Sequence, residues 1–186
     1  MGTSSNQASP PTLNWRATTA AYRGDVPPAR VAREVWRAAT NDEHGSLPDL
    51  LMSPGVELIY RVAQEAQSAS EGPRAASQEI AARRWSSLGT EIAKRALVQS
   101  FAYDDRAVGF VNSLLSEATA YLVARDLPGF VGDQGRAATV ADAAAFKASV
   151  VESVRGRLIG DPHQFESWDQ LIGSSIRRLK GVARAR

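Results

Sequence analysis

The 186-residue chain contains no cysteine. Disulfides, thiolate nucleophiles, zinc–thiolate sites and iron–sulfur clusters are excluded together. Histidine is nearly absent, with only His44 and His163. No G-x-S-x-G occurs, so the strained serine elbow of many hydrolases is missing. The glycine-rich stretch "PGFVGDQGR" lacks the lysine and the preceding strand that a phosphate loop needs. It reads instead as a flexible surface connection, over about residues 128–138.

Other absences concern location. The opening "MGTSSNQASPPT" has neither the basic start nor the apolar run of a secretory signal. Position 6 is Asn6, where a myristoylation pattern starting at Gly2 wants Ser or Thr. The sequence offers no apolar run long enough to cross a bilayer. These features lead us to expect a cytoplasmic protein with no membrane partner and no cofactor. No segment of length alternates with period two, so strands are not expected, apart from short stretches near Trp15 or Phe130.

Lysine is also scarce, at Lys94, Lys147 and Lys180 only. Arginine therefore carries most of the positive charge, and its planar fork suits phosphates and carboxylates. The charge is unevenly spread. Residues 1–37 hold five arginines against Asp25 and Glu34, a balance of +3. Residues 177–186 hold Arg177, Arg178, Lys180, Arg184 and Arg186 with no acid, a balance of +5. The total is +2, so the segment between carries −6.

With 44% hydrophobic residues the chain can bury one substantial core. The apolar residues recur at helical spacing. "GDVPPAR" opens a helix with proline in the first turn, where a missing N–H costs little. Its apolar face is Val31, Val35, Trp36 and Ala39, and Arg30, Arg33 and Arg37 fall on another face. Ser46 caps a short helix through Met52. Ser53 and Pro54 start the next, with the stripe Val56, Ile59, Val62, Ala63 and Ala66. A helix is expected from about Ala75 to Ala102, seamed by Ile80, Trp85, Leu88, Ile92 and Ala96. Asp104 caps another, lined by Val108, Val111, Leu115, Ala118 and Leu122. "TVAD" is a capping box ahead of Phe146, Val150, Val154 and Leu158. Ser167 and Gln170 form a second, ahead of Leu171, Ile172, Ile176 and Leu179. The expected fold is all-α: a single-domain bundle of about five long helices and one or two short ones over residues 26–186. A polar tail and extended arm occupy residues 1–25.

One stretch resembles the opening of a DNA reader. "GTEIAKRALVQS", from Gly89, has the look of a first helix in a helix-turn-helix. The turn would fall at Leu97, which resists a left-handed conformation. The next helix would open with Asp104 and Asp105, whose carboxylates repel phosphates. Plain bundle packing is the better reading, with Glu91 and Arg95 placed to pair at i,i+4.

Three functional readings remain. The first is a non-enzymatic accessory or adaptor subunit of a larger assembly. It docks on protein partners and contacts DNA or RNA backbone through Arg30, Arg33, Arg37, Arg177, Arg178, Lys180 and Arg184, without reading sequence. The second is a purely protein–protein scaffold or self-assembling subunit, with Trp15, Phe130 and Trp168 as exposed anchors. The third is a metal-dependent enzyme in which the clusters around His44 (Asp42, Glu43) and His163 (Asp161, Glu166) meet. The first reading is preferred, because two separate basic clusters exceed what a solvated tail requires.

Overall fold

The computed structural model describes residues 13–39, 46–68, 87–132, 136–155 and 162–181; at 13–17, 66–68 and 163 the description covers the backbone alone. Among the described residues there are eight α-helices and no named strand. They are α1 (Leu13–Arg23), α2 (Pro28–Ala39), α3 (Leu47–Leu51), α4 (Pro54–Ser68), α5 (Leu88–Ser100), α6 (Arg106–Asp126), α7 (Val140–Val154) and α8 (Trp168–Leu179). Two short 3-10 turns, Leu127–Phe130 and Pro162–Gln164, complete the set. The fold is all-α and forms one domain around one core.

Local chemistry starts most of these helices. Ser46, Ser87, Asp105, Thr139 and Ser167 each sit in extended backbone and accept a hydrogen bond from the N–H three residues on. Such caps satisfy donors that the first turn cannot. Thr139 and Asp142 form a reciprocal capping box. At Ser167 only half of the expected box is present, because the Gln170 side chain accepts from Glu166 N instead. Ser53 precedes α4, but its hydroxyl is buried with no partner among the described residues, and only its carbonyl accepts from the first turn.

Helix α6 is the hub. It packs against α2, α4, α5 and α7. Phe110, Val111, Leu114, Leu115, Ala118, Leu122 and Val123 form a broad buried apolar face, and Asn112, Ser113, Ser116 and Thr119 are buried beside it. A helix buried over so much of its circumference must be enclosed by its neighbours. Residues 106–130 are in fact long and apolar enough to cross a bilayer, contrary to the expectation above, and 72% of the apolar window is buried inside the protein. Around this axis, α1 packs on α2, α2 on α7 and α8, α3 on α5 and α8, and α4 on α5. The α3–α5 contact is close because Gly89 lies against the backbone of Leu50, where a Cβ would collide.

One polar contact anchors the outer layer to the hub. The indole Nε1 of Trp36, on α2, donates to Thr119 Oγ1 at 2.9 Å. Thr119 in turn donates to Leu115 O at 2.7 Å. Both residues are fully buried, so the pair satisfies groups that water cannot reach.

Several expectations are corrected. Residues 13–23 are helical, not an extended arm, and Tyr22 inserts fully into the core. Its ring stacks on Phe130 at 4.9 Å and meets Phe146 edge-on at 6.3 Å. Burial of that ring needs the neighbouring backbone hydrogen bonds closed, and a helix closes them. The polar tail, residues 1–12, lies outside the described residues. Helix α5 begins at Leu88, because Ser87 is extended (ψ 150°) and interrupts any helix arriving from Ala75. Ile80, Trp85 and Leu158 lie outside the described residues. Asp105 rather than Asp104 caps α6, accepting from Val108 N at 3.0 Å.

The connection after α6 is tethered where it is described. Val131 and Ala137 form an isolated bridge, and Gly132 N donates to Ala137 O at 2.8 Å. The Arg136 guanidinium donates to Gly24 O, and to Val26 O at 2.8 Å, while lying over the Phe146 ring at 4.6 Å. It thus ties this connection to the α1–α2 linker.

Two outcomes are expected from these interactions. Thr119→Val keeps the shape but leaves the Trp36 N–H buried without an acceptor. It should lower unfolding free energy by about 1–3 kcal/mol in urea titrations, and Thr119→Ser by less. The Tyr22 hydroxyl has no partner among the described residues. Burial pushes its pKa well above the usual tyrosine range, and the charge of Asp126 pushes it further. A folded-state pKa above the unfolded one gives stability that is complete below the unfolded value, about 10, and is lost as pH rises past it. Tyr22→Phe should therefore be neutral or stabilising at pH 7, and its melting temperature should fall less between pH 9 and 12 than that of the parent.

Candidate nucleic-acid interface

The basic residues of α2 and α8 follow from which faces those helices bury. Val31, Val35, Trp36 and Ala39 turn inward from α2. Arg30, Arg33 and Arg37 are left exposed. On α8, Leu171, Ile172 and Ile176 turn inward and Arg177 and Arg178 outward. The two helices are neighbours, so both arginine sets come to one side of the molecule.

The junction is specific. Arg37 Nε donates to Lys180 O at 3.1 Å, satisfying a carbonyl at the C-terminal end of α8. Cations are favoured at that end by the helix dipole. Gly181 then turns the chain with φ +69°, the left-handed conformation common just past helix ends. A Cβ at Gly181 would lie 2.9 Å from Arg33 Nε, so glycine is what admits the Arg33 side chain beside the end of α8.

The members of this face differ in availability. Arg37 is engaged with Lys180 O and with Glu34 at 3.0 Å. It works as a clamp between helices. Among the described residues, Arg30, Arg33, Arg177 and Arg178 form no ion pair. Burial holds the Lys180 ammonium below the usual lysine range. Arg184 lies outside the described residues.

The remaining expected site residues are placed differently. Phe130 and Trp168 are core residues, 7% and 5% exposed, and so do not serve as exposed anchors. Phe130 is covered by Tyr22. Trp168 donates to Leu51 O at 2.9 Å and packs 4.8 Å from the Tyr60 ring. The side chain of Trp15 is outside the described residues. Apolar exposure lies elsewhere, at Val98, Tyr121 and above all Val140. His44 is outside the described residues, and His163 is described only as backbone of the Pro162–Gln164 turn. Among the described residues no group of three acidic or histidine side chains is arranged to hold a metal.

The stretch resembling a helix-turn-helix is a helical hairpin. Helix α5 runs unbroken through Leu97, which is buried, to Ser100. Glu91 pairs with Lys94 at 2.7 Å, in place of the expected Arg95. Sequence reasoning also missed a cavity of about 280 Å³ between α4 and the start of α8. Tyr60 and Trp168 line it together with Glu57, Arg61, Gln64 and Glu166. Glu57 and Arg61 pair there at 2.5 Å. Residues 57 and 166 lie far apart in the chain, so no local pattern marks this cavity.

The junction can be tested directly. Gly181→Ala places a side chain in left-handed backbone and against Arg33. It should cost about 1–2 kcal/mol in chemical denaturation and shift the Arg33 Hε resonance. No family model, no curated protein and no solved structure matches the chain.

Proposed function

We propose that this chain is a non-enzymatic helical accessory or adaptor subunit. It docks on protein partners and contacts DNA or RNA backbone non-specifically through the α2–α8 face. The observation that carries this reading is the convergence of two arginine stripes, remote in sequence, at a junction where four guanidiniums lack ion pairs among the described residues. Unpaired arginines on one face attract phosphates without a fixed register. The acidic middle of the chain favours orientation, because it repels nucleic acid from the other surfaces.

The protein-docking half has its own support. Val140 is 79% exposed and borders an open groove of about 270 Å³ with Ala124, Leu127, Pro128, Val131 and Ala144. Exposed apolar surface of this kind commonly marks interfaces.

Fluorescence anisotropy with duplex and single-stranded oligonucleotides at two ionic strengths tests the nucleic-acid half. Weak binding at low salt that falls steeply on salt addition is expected. Arg30→Glu with Arg177→Glu should reduce affinity across all sequences and lower the salt slope by about one for each phosphate no longer neutralised. Absence of binding at low salt, or a double variant that binds as the parent does, would sink the reading and leave a protein–protein scaffold.

A further inference from the structure

The α2–α8 face contains one feature that a plain electrostatic patch does not need. A cleft of about 80 Å³ opens between α2, α7 and α8. Arg33 lines it from α2 and Arg178 from α8. Ala32, Val154 and Leu179 make apolar walls, and Ser153 of α7 borders it. The volume equals roughly three waters. That is the scale of a single tetrahedral oxyanion.

Its charge is unbalanced. Among the described residues no carboxylate lines the cleft. Glu34 and Glu152, next in sequence to Arg33 and Ser153, are engaged with Arg37 at 3.0 Å and Arg155 at 3.2 Å. Two arginine residues without ion pairs among the described residues thus border one small space. An anion held there by their guanidiniums would gain charge-assisted hydrogen bonds, strengthened beside apolar walls.

We infer that this cleft is a subsite for one phosphomonoester group, the terminal phosphate of a nucleic-acid strand. The inference rests on the backbone-contact reading and narrows it from strand interiors to strand ends. Charge supports a terminal group: two guanidiniums match a monoester, which is close to a dianion at neutral pH. An internal diester carries one negative charge. Shape agrees, because walls from three helices admit a group at the end of a chain more readily than a continuous backbone. The Ser153 hydroxyl already donates to Val150 O at 2.7 Å and is not assigned as a donor to the anion.

The test compares one single-stranded oligonucleotide with 5′-hydroxyl, 5′-phosphate or 3′-phosphate ends, at constant salt, on the full chain. Inorganic phosphate serves as competitor. At least one phosphorylated end should bind about tenfold tighter than the hydroxyl end, and inorganic phosphate should erase the difference. Ser153→Met fills the cleft without changing charge. It should remove the preference while salt-sensitive binding of the hydroxyl oligonucleotide persists. Arg178→Gln, at an exposed position, should also remove the preference if the methionine variant does not fold, while weakening the hydroxyl oligonucleotide only by the loss of one of the face's four arginines. Equal affinity for all three ends, with salt-sensitive binding intact, overturns the subsite and leaves the face. A preference that survives both variants also overturns it. No binding of any oligonucleotide overturns the face itself.

Discussion

A helix buried over most of its circumference cannot stand at the edge of a bundle. Helix α6 imposes that condition here, and the other helices are arranged to meet it. Its Phe110, Leu114, Leu115 and Leu122 are fully buried, as are Trp36, Leu51, Ile59 and Leu97 from the helices around it. The polar tie at its middle, Trp36 to Thr119, gives the packing a definite register. Hydrophobic contact alone is non-directional. A buried donor that finds an acceptor at one position of the facing helix favours that alignment over neighbouring ones.

The surface follows from this core. Once Trp36 and its neighbours on α2 face α6, the Arg30, Arg33 and Arg37 stripe faces outward. Packing of α8 beside α2 then brings Arg177 and Arg178 to the same side. The arginines of one stripe are used differently. Arg37 closes the end of α8, while Arg33 borders a cleft and forms no ion pair among the described residues. Exposed ion pairs contribute little to stability. Arg30, Arg33, Arg177 and Arg178, with no ion pair among the described residues, therefore add little to the hold of the fold, which rests on the core and on the Arg37 contact.

Arg136 plays a comparable clamping role at the other end of α2. Its guanidinium binds two carbonyls of the α1–α2 linker and covers Phe146, drawing the connection after α6 onto the helices it must cross. The Tyr22–Phe130 stack lies beneath, so α1 is held by aromatic packing as well as by polar contacts. The buried Tyr22 hydroxyl, with no partner among the described residues, is the price of placing a tyrosine there.

The helical class, the caps at Ser46, Thr139 and Ser167 and the inward faces of α2, α6 and α8 were legible from the chain, because each depends on residues within one or two turns of one another. The break at Ser87 and the cap at Asp105 show how far such local signals blur at boundaries. Three matters belonged to tertiary structure alone. Tyr22, on the helix 13–23, is buried in a stack with Phe130. Phe130 and Trp168 pass from expected surface to core. The arginines of α2 meet those of α8 across a contact, Arg37 to Lys180, spanning 143 positions. Periodicity records which side of a helix is apolar; it carries no record of which other helix will lie against that side, and the placement of Arg33 beside Arg178 depends on that choice.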